Sequence, residues 1–317
     1  MSHAHRIVLF LLGVLLSERG AGAQVSTRYG GDPLLLGAGA RSLGMGSAFV
    51  AISDDATAVY WNPAGLARLR RRETQVQHAE QFGGTVNHDV FTLAGPASIG
   101  SLGLGLLRLG VDGIPLTALE DPSRPLGPDN RPVVSQVVGT SDYSLYLSYG
   151  RLIRSDLSIG ASLKLIWRNL GAGNGSGYGI DLGLHYMPGA GFSCGLAVRN
   201  LTRTRIAFDS GAADRIPPSL LLGVAYTRSL PAIDSRLTWS VSTHIGEEKS
   251  GLEDAEGIQV GVEYRFKDLL AFRTGAKGDH LTAGAGLRLY RRFGLDLAFL
   301  ENEQLDNTYR ISASFYF

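Results

Sequence analysis

The sequence predicts an all-β fold, a transmembrane antiparallel β-barrel of about 14 strands with a small N-terminal helical plug, or hatch, in its lumen. Three observations predict this fold. From about residue 73 onward, segments of about ten residues alternate apolar with polar or small side chains. The connections between these segments alternate in length, and the chain ends on an aromatic residue inside the last segment. A high Gly content, 42 of 317 residues, agrees with many close turns.

The composition excludes several classes of protein. Lys and Arg total 30 and Asp and Glu total 29, so the chain lacks the basic excess of an electrostatic nucleic-acid binder. One Cys cannot form a disulfide framework within the chain. With 44 % hydrophobic residues, the chain is too apolar to be disordered.

Residues 1–23 have the pattern of a secretory signal peptide. Arg6 precedes an apolar run from Ile7 to Leu16, and the small residues Ala21 to Ala23 form a cleavage site. A buried N-terminal helix is the alternative. No other run is long enough to cross a membrane as a helix. We therefore expect export to the outer membrane of a Gram-negative-type bacterium.

Residues 24–72 do not alternate and are rich in Gly and Ala. Ser53 or Asp54 is placed to cap a short helix that ends at Trp61, and Asn62 followed by Pro63 is placed to start another. These features predict a plug inside the barrel, and an exposed periplasmic extension is the alternative.

Residues 73–317 are predicted to form the barrel, because successive side chains of a strand point to opposite faces. In one segment, Leu281, Ala283, Ala285, Leu287 and Leu289 share a face, opposite Thr282, Gly284, Gly286 and Arg288. Ile166 is an exception to the alternation of its segment. The predicted strands are 73–82, 87–96, 99–110, 141–151, 156–170, 177–188, 191–201, 218–228, 235–245, 256–266, 269–276, 280–290, 293–301 and 307–317.

The composition of the two strand faces favours a membrane barrel over a soluble one. The apolar face carries almost no charge and is often aromatic at its ends, as at Tyr143, Tyr149, Phe293 and Phe299. The other face is small and polar, as in a barrel lumen. Because alternation alone fits both kinds of barrel, a soluble barrel stays open as the alternative.

The lengths of the connections sort onto two ends, which is typical of outer-membrane barrels. The short connections, expected in the periplasm, are 97–98, 152–155, 189–190, 229–234, 267–268 and 291–292. The outer loops include 111–140, 171–176, 202–217 and 246–255. The last residue, Phe317, resembles the C-terminal signal that the barrel-assembly machinery reads, so that machinery and outer-membrane lipid are expected partners.

The N-terminal stretch GARSLGMGSAFVAISDDATAVYWNPAGLA resembles the PorV/PorQ family of outer-membrane proteins within the FadL-like superfamily. The resemblance implies a barrel of about 14 strands with a hatch. The hatch motif is Asp54, Asp55, Trp61, Asn62, Pro63 and Ala64. The chain departs from a typical fatty-acid channel of this kind because it is shorter and has no long helical outer insertions.

The resemblance implies two functions. PorV-like members act with the type IX secretion apparatus and hand over secreted proteins at the surface, whereas others pass hydrophobic small molecules through the hatch. We place secretion first, because no large outer capture site is evident. A structural barrel with a closed lumen is the third alternative.

Glycines crowd the third strand at Gly100, Gly103, Gly105 and Gly110. Gly weakens a strand and marks bends, and in FadL-like barrels a lateral opening lies at a kinked third strand. A lateral opening is therefore one hypothesis, and close packing against the plug is the other.

Charged residues on the predicted lumen face either line a pore or form salt bridges between wall and plug. They are Lys164, Arg168, Asp181, Arg199, Arg236, Glu263, Arg265, Arg273, Arg288, Asp296 and Arg310. Salt bridges are the favoured interpretation, because a plugged lumen must pair its buried charges. His185 and His244 are predicted to face the lumen, without a nucleophile motif or zinc-like spacing. The sequence predicts no enzyme, no metal site and no cofactor.

Overall fold

The molecule is a closed antiparallel β-barrel of 14 wall strands. The computed structural model describes residues 33–81, 83–171, 173–246, 257–301 and 307–317. The predicted signal peptide lies outside the described residues. The strands are β1 Glu73–Gln81, β2 Val86–Ala97, β3 Gly100–Leu119, β4 Pro132–Arg154, β5 Leu157–Asn169, β6 Asn174–Gly189, β7 Phe192–Arg199, β8 Thr204–Phe208, β9 Ala213–Ile216, β10 Ser219–Leu230, β11 Ser235–Gly246, β12 Gly257–Phe266, β13 Leu270–Lys277, β14 His280–Leu289, β15 Phe293–Leu300 and β16 Thr308–Tyr316.

Each wall strand pairs with its neighbour, and β16 pairs with β1, from Glu73 opposite Tyr316 to His78 opposite Ile311. β8 and β9 form a separate hairpin. The barrel fold of the sequence prediction is thus confirmed, and every predicted strand corresponds to a wall strand.

Burial alternates along the strands as the hydropathy pattern predicts, with apolar side chains outward. In β16, Tyr309, Ile311 and Phe315 are exposed, whereas Arg310, Ser312, Ser314 and Tyr316 are buried inside the barrel. The outward face is apolar because it meets lipid, and the inward face is small and polar. Among the described residues, no helix has the length and apolarity needed to cross a bilayer.

The structure corrects the predicted outer loop 111–140. β3 continues to Leu119 and β4 begins at Pro132, so the two strands extend beyond the wall as a two-stranded ribbon with irregular register. Pro115 is tolerated there, because a strand without a second neighbour does not need every N–H. Across this ribbon, Val133 lies opposite Ala118 and Val137 lies opposite Pro115.

The predicted outer loop 202–217 also contains regular structure. It holds the β8–β9 hairpin, which pairs with β6 from Gly175 to Tyr178. Ile206 and Ile216 of this hairpin are fully buried. The hairpin therefore covers the long-loop end of the lumen.

Residues 37–69, which we call the inner segment, lie inside the barrel. They contain helical turns at Ala40–Leu43, Ala58–Trp61 and Pro63–Arg68. The main apolar core joins their side chains, including Phe49, to inward residues of the wall. The core of this molecule is thus the content of the lumen.

Candidate functional site

The lumen is the candidate site, and Asn62 is a central contact between the inner segment and the wall. Its Nδ2 donates to the carbonyl oxygens of Val50 (3.0 Å) and Leu184 (3.1 Å), and Leu184 belongs to β6. Its Oδ1 accepts from the backbone N–H of Ala64 at 3.1 Å, so Asn62 caps the turn that Pro63 begins. Asn62 therefore acts as the predicted cap.

The helix predicted before Asn62 is shorter than expected. It covers only Ala58–Trp61, and Thr57 precedes it without a side-chain cap. Asp55 instead accepts from the backbone N–H of Thr57 at 3.0 Å. Neither Ser53 nor Asp54 caps this helix, because residues 50–57 fold as successive turns. Trp61 donates from Nε1 to the carbonyl of Ala38 at 2.7 Å.

Wall glycines provide the space for the Asn62–Pro63–Ala64 turn. A Cβ at Gly150 would lie 2.7 Å from the carbonyl oxygen of Pro63. A Cβ at Gly160 would meet the Pro63–Ala64 backbone, and one at Gly183 would meet Oδ1 of Asn62. Three successive strands therefore bring backbone against backbone, which only glycine permits.

The opposite wall receives the inner segment in the same way. A Cβ at Gly44 would lie 3.1 Å from Cα of Gly284, and one at Gly261 would meet the backbone of Met45. Ser312 accepts from the backbone N–H of Ala40 at 2.8 Å. The inner segment is thus held on both sides of the barrel.

A buried ionic network ties the inner segment to β12. Arg41 donates from Nε to Oε2 of Glu263 at 2.9 Å and also pairs with Asp54 (2.5 Å) and Asp55 (3.1 Å). Glu263 additionally accepts from Arg273 at 2.7 Å. This carboxylate therefore joins a cation of the inner segment to cations of the wall.

The two neighbouring carboxyls of the inner segment titrate differently. Desolvation raises the pKa of both, but at Asp54, whose side chain is 52 % exposed, the closer Arg41 guanidinium prevails and holds the pKa below the ordinary value. At Asp55, burial and the Asp54 charge prevail, and the pKa is raised. Asp55 both accepts from the backbone N–H of Thr57 and joins the arginine network.

Arg41 is a functional residue that the sequence reasoning missed. It is buried, although it stands among Gly, Ala, Ser and Leu in the sequence. A single arginine in a small-residue segment, with carboxylates at Asp54 and Asp55, was the available signal. A buried arginine requires partners of opposite charge.

The other predicted lumen charges are also paired inside the barrel. Those that contact partners are Lys164 with Asp181 (3.0 Å), Arg168 with Asp142 (2.9 Å), Arg265 with Glu263 (3.0 Å), Arg273 with Asp296 (2.7 Å), Arg288 with Asp268 (3.5 Å), Arg199 with the Tyr60 carbonyl (3.0 Å) and Arg310 with His88. Arg236 differs, because it lies exposed at the short-turn end. The geometry is that of cross-links within a filled lumen.

An apolar cluster lies in the half of the lumen nearest the long loops. It contains Val90, Leu107, Tyr146 and Ile166 of the wall together with Ile206 and Ile216 of the hairpin. Tyr60 of the inner segment contacts Tyr146 with ring centroids 6.3 Å apart. The irregular alternation at Ile166 is now explained, because this residue packs inward in the cluster.

The glycines of β3 pack against the inner segment. β3 pairs without interruption with β2 from Gly100 to Val111. A Cβ at Gly103 would meet the side chain of Val59, and one at Gly105 would lie 2.8 Å from it. In this structure the glycines therefore provide close packing, and the pairing shows no wall opening along this described part of β3. Gly110 lies against Arg108.

His185 lies inside the lumen, as predicted, with its Nε2 2.7 Å from the carbonyl oxygen of Ala51. His244 is also buried. Within the residues that the structure describes, no group of three or more His, Cys, Asp and Glu side chains is placed to hold a metal ion.

Solved structures with the same architecture are outer-membrane channels. The toluene transporter TbuX of Ralstonia pickettii matches with a TM-score of 0.60 and 13 % identity, over 89 % of this chain and 99 % of that chain. The CymD monoaromatic hydrocarbon channel matches with a TM-score of 0.57 and 15 % identity, over 89 % and 98 %. A Pseudomonas aeruginosa FadL homologue matches at 0.51 and 13 %, over 93 % and 99 %.

These likenesses show that the chain shares the barrel fold of these structures. Residues 17–180 match the uncharacterised protein family UPF0164, and the chain belongs to this family. No curated protein matches the sequence. The comparisons support the FadL-like part of the resemblance in the sequence, whereas the finer assignment to PorV/PorQ gains no support from them.

Proposed function

We propose that the protein is a passive outer-membrane channel for hydrophobic small molecules, closed in this conformation by the inner segment and the β8–β9 hairpin. The observation that carries this proposal is the apolar cluster inside the lumen, where wall side chains meet Tyr60 of the inner segment and Ile206 and Ile216 of the hairpin. Transfer of apolar surface from water into such a site is favourable. A hydrophobic molecule would therefore gain free energy where a sugar or an ion would lose it.

The distribution of lumen residues supports this choice of solute. Ile166, Ile206 and Ile216 are all fully buried in the half of the lumen nearest the long loops. Glu263 of the Arg41–Glu263 network lies nearer the short turns, and the network consists of paired charges. The charges that flank Ile166 are paired as well, Lys164 with Asp181 and Arg168 with Asp142. A polar-solute pore would instead carry accessible polar groups along its lumen.

The fold comparison points the same way. Two of the matching structures are described as a toluene transporter and a monoaromatic hydrocarbon channel. Type IX secretion, which the sequence analysis placed first, has no support in the structure or in these comparisons. We therefore reverse the order of the two hypotheses.

The direct test is uptake by proteoliposomes that contain the full mature chain. Radiolabelled toluene should equilibrate faster than in protein-free vesicles, and a labelled disaccharide should not. Equal toluene rates with and without protein would refute a hydrophobic channel. Faster disaccharide uptake would identify a polar pore instead.

A reversible cross-link tests the hairpin as a closure. Ser176 of β6 and Ala207 of β8 are exposed cross-strand partners, so cysteines at both positions are within disulfide range. In a Cys194→Ser background, the oxidised Ser176→Cys/Ala207→Cys variant should lose uptake and regain it with reductant. The lipid-facing wall pair Leu295→Cys/Ala313→Cys serves as the matched control.

A further inference from the structure

The short-turn end of the barrel is strongly basic, although the whole chain is nearly neutral. Nine arginine and lysine side chains are exposed there: Arg70, Arg72, Arg151, Arg154, Arg228, Arg236, Lys267, Arg291 and Arg292. We call this set the basic ring. The acidic residues in the same turns are Glu73, Asp156, Asp234 and Asp268. Glu73 is buried, Asp268 contacts Arg265 and Arg288, and Asp156 pairs with Arg154 of the ring at 2.7 Å.

At the opposite end, the residues that the structure describes do not show this excess. Its exposed arginines, such as Arg131 and Arg205, alternate with exposed carboxylates such as Glu120, Asp129 and Asp209. The excess of exposed basic side chains therefore lies at one end of the barrel axis. A random distribution of solubilising charges would not separate the two ends in this way.

Exposed apolar side chains stand beside members of the basic ring. In the turn between β14 and β15, Arg291 and Arg292 lie between Tyr290 (88 % exposed) and Phe293 (52 %). At the end of β4, Leu152 and Ile153 lie exposed between Arg151 and Arg154.

Arg72 stands next to the last residue in the same manner. Its backbone pairs with that of Phe317, and both residues border a groove of about 610 Å³ on the lipid-facing wall, with Leu93, Leu102 and Tyr149. Aromatic side chains occupy the boundary between acyl chains and headgroups. The arginines thus lie at headgroup depth.

We propose that the basic ring binds the phosphate groups of anionic phospholipids in the periplasmic leaflet. Short turns of outer-membrane barrels face the periplasm, and clustered arginines beside a membrane attract anionic headgroups. An arginine fork matches phosphate oxygens in geometry as well as in charge. The proposal goes beyond the channel function and does not depend on it.

Native mass spectrometry of the full mature protein tests the proposal with defined lipids. Phosphatidylglycerol should bind about tenfold more strongly than phosphatidylcholine of the same chain length. The variant Arg72→Gln/Arg151→Gln/Arg291→Gln/Arg292→Gln should reduce this preference to about twofold or less, since its barrel-facing residues are unchanged. The matched control is Arg131→Gln/Arg203→Gln/Arg205→Gln/Arg215→Gln at the opposite end, which should keep the preference.

Four outcomes would overturn the proposal. Equal binding of the two phospholipids would show no headgroup recognition, and equal losses in the two variants would show no role of the short-turn end. Stronger binding of lipid A than of phosphatidylglycerol would place the ring against the other leaflet. Displacement by inorganic phosphate alone at equal concentration would indicate a site for small free anions.

Discussion

At the scale of single residues, Asn62 joins the inner segment to β6 and also caps its own turn. Asn62→Ala removes its side-chain hydrogen bonds to Val50, Leu184 and Ala64. We expect a loss of about 2 kcal/mol in the free energy of unfolding. Urea titration of the reconstituted barrel measures this loss. The exposed Asn174→Ala in β6 is the control, and similar midpoints for both variants would contradict the role of Asn62.

Glu263 is the second residue whose removal has a definite expected sign. Glu263→Gln removes the carboxylate that Arg41, Arg265 and Arg273 share and leaves their charges undercompensated in a buried site. Breaking such an arrangement from one side costs about 3–5 kcal/mol. The same urea titration detects it, with the exposed Glu120→Gln as control. A midpoint within error of the wild type would show that the network contributes nothing.

At the scale of elements, the β8–β9 hairpin can be tested by substitutions that leave the wall strands unchanged. Ile206→Ala/Ile216→Ala truncates its two fully buried apolar side chains, and each truncation costs about 2–5 kcal/mol where the site cannot collapse. Because these contacts hold only the hairpin, we expect faster toluene uptake and faster proteolysis within 204–216. The exposed pair Arg205→Ala/Arg215→Ala leaves both apolar contacts intact and should change neither rate. Unchanged rates in the isoleucine variant would mean that the hairpin is not a closure.

The sequence predicts the wall strands, but it does not predict the ribbon of β3 and β4 or the β8–β9 hairpin. The wall strands follow from period-two hydropathy, because lipid outside and polar lumen inside impose one pattern on every strand. The ribbon of β3 and β4 beyond Val111 meets water on both faces, so alternation no longer distinguishes strand from loop there. The hairpin was missed for a related reason: the inward turn of Ile206 and Ile216 depends on the apolar cluster below them.

At the scale of the molecule, the sequence predicts that charges inside the lumen pair, but it does not predict which residues pair with each other. Lumen charges were expected to pair, but the link from Glu263 to Arg41 joins residues 222 positions apart. The contact of the Asn62–Pro63–Ala64 turn with Gly160 and Gly183 depends on where the inner segment lies across the strands. Periodicity assigns a face to each residue and carries no information on contacts between distant segments.

The filled lumen predicts how the whole molecule behaves toward ions. Residues of the inner segment such as Ala38, Met45, Phe49 and Leu66 have no exposed surface, so the reconstituted wild-type protein should show no ion conductance steps in a planar bilayer. Gly160→Val places side-chain atoms where the Pro63–Ala64 backbone lies, and overpacking of this kind costs about 1–3 kcal/mol. Displacement of the inner segment should relieve that cost and produce conductance steps.

Gly173→Val is the matched control for this experiment, because a Cβ at Gly173 meets nothing within 4 Å. It should remain as silent as the wild type. Steady conductance of the unmodified protein would show that the inner segment does not seal the barrel. A folded Gly160→Val variant without conductance steps would show instead that displacement of the inner segment opens no path for ions. Ions and hydrophobic molecules would then not share one route.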